Sequence, residues 1–196
     1  MNFFKKFFKT EKHSEQEPEL KDLGHLPMEE QFVQNFISKG GKFLYCTNRQ
    51  EVLDNFEKVC EENNWKEFQF YKNNPLEVLD INLSNKIEVS SSAGVYISTC
   101  EYLIAKDGSI LLSSEQIGEK KIANLPKNFI VIAQTSLIVQ NKRDALHGIN
   151  WRSDAIKPTN ISTIKSFSPN DNSEDILKNY GTSNSKNLYL LLLEDL

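Results

Sequence analysis

Apolar residues recur along this chain at two different periods, and the alternation between them marks out a protein of mixed helices and strands. Phe32, Val33, Phe36 and Ile37 fall at helical spacing and stop at Gly40-Gly41, where a left-handed C-cap is sterically cheap. Lys42 to Thr47 then reads as a first strand. Val52, Leu53, Phe56, Val59 and Cys60 restore the helical period from Gln50 to about Asn63, and the aromatic run Phe68-Gln69-Phe70-Tyr71 follows as a second strand. A strand, helix, strand rhythm of this kind closes most readily as a parallel sheet.

Further along, the pattern shortens. Tyr102 to Lys106 and Ser109 to Ser113 are β-rich runs on either side of Asp107-Gly108. That dipeptide suits a type I′ hairpin turn, in which both central residues take positive φ. Phe129 to Ala133 is an unbroken apolar run bounded by Pro126 and by polar residues, as a strand buried on both faces requires, and Leu188 to Leu193 repeats the signature. Between these two the spacing predicts a helix near Val139 to His147, a strand around Ile161 to Lys165 and a short helix at Ser173 to Asn179.

The first residues carry a different pattern. Phe3, Phe4, Phe7 and Phe8 share one face of a helical projection edged by Lys5, Lys6 and Lys9, so residues 1–9 form an amphipathic segment. Such a segment can dock on a partner protein, touch an anionic membrane surface or fold back onto its own domain. Residues 10–27 are polar, acidic and interrupted by Pro18 and Gly24, which reads as a linker, with the folded domain spanning 28–196.

Composition narrows the classes. A chain of 196 residues, 39% hydrophobic and 26% charged, supports one core plus tails. The formal charge of −4 argues against nucleic acid, whose phosphates need a concentrated basic surface. Cys46, Cys60 and Cys100 are scattered, with no close pairing of the kind that holds zinc or an iron–sulfur cluster. They fit reduced, buried thiols, and no apolar run reaches the roughly 20 residues of a membrane span. The expectation is a cytoplasmic protein without a transmembrane segment, a secretion signal, a metal site or a cofactor of its own.

Specific residues add a resemblance. Cys100 to Leu112 (CEYLIAKDGSILL), Leu125-Pro126 before the strand at Phe129, and Ser136-Leu137-Ile138-Val139 followed by Asp144-Ala145-Leu146 are similar to the lactate-utilisation protein C family, the LUD-domain proteins. The resemblance runs from about Glu29 to Leu196. It implies a three-layer α/β/α fold with a mostly parallel sheet, similar to that of sugar-phosphate isomerases and coenzyme A transferases. It also implies work beside iron–sulfur subunits that oxidise L-lactate to pyruvate. Two stretches depart from the family pattern. Ser166 to Ile176 keeps Asp175-Ile176 but lacks the usual basic residue, and Gly181-Thr182-Ser183-Asn184-Ser185 lacks the family's histidine and proline.

Candidate chemistry gathers in loops, since ligands in α/β sheets bind beyond the carboxyl ends of strands. Ser168, Asn170, Asp171 and Ser173 can hydrogen-bond a small carboxylate or phosphate beside the helix opening at Ser173, or simply cap that helix. Asp107, Gly108 and Ser109 can line a pocket or serve only the turn, and Gly181 belongs to the second divergent loop. On the resemblance, Glu101 and Asp175 are the acidic residues to consider as a general base. His13 and His25 fall in the linker and His147 near a helix end, which is no metal set. There is no GxGxxG and no P-loop lysine. Arg152 beside Trp151 is either an interface or anion-binding arginine, or a surface loop with Trp151 pinned on the core; the second is the simpler expectation. Two functions follow: an accessory subunit whose redox partners hold the clusters, or a protein binding a small anion, sugar phosphate or coenzyme A-type ligand in a pocket of its own.

Overall fold

The computed structural model describes residues 26–72, 75, 88–152, 157–167 and 185–195. In chain order its elements are α1 (Met28–Ser38), β1 (Lys42–Cys46), α2 (Arg49–Asn63), β2 (Glu67–Phe68), β3 (Glu88–Val89), β4 (Val95–Ser98), β5 (Tyr102–Ile104), β6 (Ser109–Ser113), α3 (Ser114–Ile117), β7 (Asn128–Gln134), β8 (Ile138–Val139), α4 (Lys142–Trp151), β9 (Ile161–Ile164) and β10 (Asn187–Leu193). The central sheet runs β1-β10-β7-β4, every pair parallel. Gln69, just past β2, makes a parallel bridge to Tyr96 of β4, which joins the pair β2-β3 to that edge. The strand, helix, strand rhythm therefore does yield a parallel sheet, although β1 and β2 lie on opposite sides of β10 and β7.

Side chains alternate across the sheet as period two demands. On one face Cys46, Ile97, Ile130, Ile132, Leu191 and Leu193 pack under α2 through Val52, Phe56 and Val59. On the other, Phe129, Val131, Leu188, Leu190 and Leu192 meet Phe32 and Phe36 of α1 together with Leu103, Ile110 and Leu112. Those last three belong to a second sheet, ordered β8-β5-β6-β9. Its opposite face, Ile104 and Leu111, is covered by Ala145 and Ile149 of α4. The result is a three-layer α/β arrangement around a mostly parallel sheet, in which a small mixed sheet shares the third layer with α1.

Local chemistry sets the boundaries. Asn48 caps α2 by accepting the Glu51 N–H at 2.9 Å, and Asn141 caps α4 by accepting the N–H groups of Arg143 and Asp144. That cap corrects the helix expected from Val139 to His147: it starts at Lys142 and runs to Trp151, while Val139 pairs with Ile104 as a strand. The second strand is also shorter than its aromatic run, ending at Phe68.

The hairpin forms as expected, with Ile104 opposite Ser109, but its turn is not type I′. Four residues, Ala105 to Gly108, connect the strands, and of these only Gly108 has positive φ, at 63°. Asp107 instead accepts the N–H and hydroxyl of Ser109. Gly108 answers a second demand as well, because a Cβ there would stand 2.5 Å from the α1 backbone at Asn35 and Phe36. Among the described residues no helix is long and apolar enough to cross a membrane.

Candidate functional site

Glu101 enters β5 with its side chain only 3% exposed. A carboxylate buried to that degree needs compensation. Its Oε2 accepts from Arg152 Nη1 at 2.7 Å, and its Oε1 accepts from the Ser113 hydroxyl at 2.6 Å and from Gln116 Nε2 at 3.1 Å. Ser113 and Gln116 also form a capping box at the start of α3: the Ser113 hydroxyl oxygen accepts the Glu115 N–H, and Gln116 Oε1 accepts the Ser113 N–H at 2.7 Å. The amide of Gln116 is thereby oriented, with oxygen on Ser113 and nitrogen on Glu101.

Arg152 bridges this buried network and the surface. Its side chain is 41% exposed, and the guanidinium carbon lies 5.7 Å from the centre of the Tyr102 ring. Partial burial disfavours the cation, but Glu101 and Tyr102 outweigh it and lift the Arg152 pKa above its ordinary value. Trp151 is 75% exposed and stacked on His147 at 5.1 Å, so it is not pinned on the core as expected. Helix α4 turns Ala145 and Ile149 to the small sheet, and Trp151 falls outside that stripe.

Two hollows open on the described surface, one of them beside Gln116. One of about 230 Å³ opens at the carboxyl end of β4, with Ile97, Ser98 and Thr99 on its floor and Lys72, Glu115 and Gln116 at its polar side. Lys72 Nζ stands 3.2 Å from both oxygens of Glu115 across it. The other, about 850 Å³ and broad, is lined by Lys106, Asp107, Asn141, Lys142 and Arg143 near the start of α4.

A family model for the LUD domain matches residues 29–193. The chain belongs to the LUD-domain family. Among solved structures this LUD-domain chain is similar to a DUF162 family protein from Deinococcus radiodurans, at 12% identity and a TM-score of 0.57. That match covers 86% of this chain and 96% of the other, and it speaks for the fold alone. No curated protein matches the chain in sequence.

The LUD-domain fold separates the residues singled out by sequence. Glu101 lines neither hollow, and its oxygens accept from Arg152, Ser113 and Gln116, so the geometry places it as an anchor for Arg152 and Gln116. Asp107 lines the broad hollow and is already engaged by Ser109, whose own side chain is buried; Gly108 serves the approach to α1. Ser168, Asn170, Asp171, Ser173, Asp175 and Gly181 lie outside the described residues, as do the predicted helix at Ser173 to Asn179 and the aromatic segment Phe3, Phe4, Phe7 and Phe8.

Lys72, Ser98 and Gln116 were not anticipated. For Gln116 a signal exists in Ser113-x-x-Gln116, a capping-box spacing, whereas Lys72 and Ser98 meet only through the fold. Among the described residues no group of three His, Cys, Asp or Glu side chains is placed to hold a metal ion. The thiols are chemically quiet, since burial pushes Cys46 up to about 11 and Cys60 up to about 12 and raises Cys100 further.

Proposed function

We infer that the chain serves lactate utilisation as an accessory subunit, assembling with or regulating iron–sulfur partners that carry out the oxidation of L-lactate to pyruvate. Membership of the LUD-domain family gives the context. The observation that carries the docking role is Trp151, largely exposed at the end of α4 beside an arginine anchored from beneath by the buried Glu101. An exposed indole next to a pre-positioned guanidinium has the composition of a binding hot spot. Fixing Arg152 on Glu101 in advance also lowers the ordering cost of association.

The test uses the full chain, tagged and purified from its native cells, with stoichiometric partners identified by mass spectrometry and by the visible absorption of their clusters. Iron–sulfur subunits should co-purify, and Trp151→Ala should weaken a reconstituted complex by about thirtyfold, as loss of a roughly 2 kcal/mol hot spot requires, without lowering the melting temperature. Absence of any iron–sulfur protein at stoichiometric level would remove the reading, and so would a complex indifferent to Trp151→Ala assign docking to another face.

A further inference from the structure

Helix α4 begins with charges that its own stability does not ask for. Lys142 and Arg143 are its first two residues, where the helix dipole favours anions and disfavours cations. Across the broad hollow of about 850 Å³ they are joined by Lys106 from the hairpin turn. All three are exposed, and none has a carboxylate of a described residue at ion-pair distance. The two acids in the lining are engaged elsewhere, Asp107 by Ser109 and Asp144 by Asn141 Nδ2 at 2.8 Å. Asn141 also takes the N–H groups of Arg143 and Asp144, so the side chains and not the helix terminus carry the attraction for an anion. In a chain with a formal charge of −4, three such cations around one hollow make a local seat for negative charge.

We propose that this hollow seats the chain's own acidic residues 11–22, whose carboxylates neutralise Lys106, Lys142 and Arg143 and close the hollow to other anions until displaced. Trp151, at the opposite end of the same helix, takes no part.

Three observations select that occupant. Charge is the first: Glu11, Glu15, Glu17, Glu19 and Asp22 stand against only Lys12 and Lys21. Reach is the second. The Pro27 carbonyl accepts the Gln31 N–H at 3.0 Å, so the chain enters α1 one turn before Gln31. Gln31 itself lines the hollow, where its side-chain oxygen accepts from Gln140 Nε2 at 2.6 Å. Asp22 precedes Pro27 by five residues, a span of at most about 18 Å, and Glu19 by eight, at most about 29 Å. A tether of that length presents its carboxylates at roughly millimolar effective concentration, ahead of a partner segment or free anion at micromolar level. The third is the wall. Ile104 is the only apolar residue in the lining and is 2% exposed, whereas sites for small molecules are predominantly apolar. A wide, charged surface suits an extended polar segment instead.

Carbodiimide cross-linking of the full chain tests this, because it joins a lysine amine to a carboxylate where the two touch, and mass spectrometry reads the products. An equal mixture of nitrogen-15-labelled and unlabelled protein separates links within one chain from links between copies. At about 50 mM NaCl, Lys106 or Lys142 should link to Glu15, Glu17, Glu19 or Asp22 of the same chain. At about 0.5 M NaCl the yield should fall about fivefold, as screening of exposed charges requires. Glu15→Gln, Glu17→Gln, Glu19→Gln and Asp22→Asn together should move the amide resonances of Lys106 and of Asn141 to Asp144, while those of β7 and β10 stay in place. Lys142→Glu with Arg143→Glu suits the helix dipole and so keeps α4, yet it should lower the cross-link yield at Lys106 about tenfold. The proposal is overturned if neither lysine links to residues 11–22, or if the links form only between differently labelled copies. It is equally overturned if inorganic phosphate moves the resonances of the hollow to the same extent in the wild-type and the neutralised chain, since the hollow would then stand open to any anion.

Discussion

Lys186 ties the stability of this fold to alkaline pH through its burial. It is 2% exposed, with its ammonium donating to the Leu125 carbonyl at 2.9 Å and lying 5.4 Å from the centre of the Phe129 ring. Burial and then the nearby charge of Lys127 bring its pKa down to about 8, against about 10.4 for an exposed lysine. Between those two values the unfolded chain holds a proton that the folded chain has released. Stability from this residue therefore rises with pH across that window, and the cost of burying the charge is fully present below about pH 8. The buried cysteines act in the opposite sense, because their thiols stay protonated when folded but ionise when unfolded. Lys186→Met isolates the lysine. It should raise unfolding free energy at pH 7 by about 1–2 kcal/mol, after allowing for the hydrogen bond lost at Leu125, and the gain should shrink to nothing as pH rises from about 8 towards 10.4. Urea titrations at pH 7, 8.5 and 10 read this directly, and a gain that does not depend on pH would refute it. At this scale the sequence shows which residues are charged but not which become buried: Glu101 stood out, yet its partner Arg152 is 51 positions away and only the fold joins them.

Elements were legible by their bodies more than by their ends. The hairpin strands declare themselves by composition, whereas Asn48 and Asn141, which cap α2 and α4, go unread by the apolar pattern, so the helix of α4 is expected three residues early, at Val139. What the local pattern could not convey is the demand of a neighbouring element. Asp107-Gly108 has the composition of a type I′ turn, but the connection is four residues long and its glycine is required partly because α1 passes against it. Gly108→Ala should accordingly cost about 3 kcal/mol, combining the left-handed backbone with a Cβ forced into the helix backbone. Gly94→Ala is the control, since nothing lies within 4 Å of the position its Cβ would occupy and its φ is not positive. Shortening the unfolded chain's conformational range there should stabilise by about 0.4–1 kcal/mol. Thermal melts of the two variants suffice, and a Gly108→Ala protein as stable as Gly94→Ala would mean that α1 yields to the hairpin.

For the whole molecule, strand identity was readable and strand order was not. The runs at Phe129 and Leu188 are apolar throughout, which marks them as buried on both faces, and they become the adjacent central strands β7 and β10. No pattern announces that the last strand inserts beside the first, yet Lys42 pairs with Tyr189 across 147 positions. A sheet closed by its final strand should open as one unit. Amides of Leu190 to Leu192 are enclosed by β1 and β7, and those of Phe129 to Val131 by β10 and β4, so both sets should exchange only through global unfolding. Helix α4 stands differently. It covers the outer face of the small sheet through little more than Ala145 and Ile149 and makes no contribution to either larger core cluster. Its amides should exchange through a sub-global opening at least about 2 kcal/mol below the global value, with a correspondingly smaller dependence on urea. Native-state hydrogen exchange in rising urea separates the two regimes. Were α4 to merge with β10 at one free energy and one slope, the layers would form a single cooperative body, and Trp151 would ride on a rigid surface in place of one able to adjust to a partner.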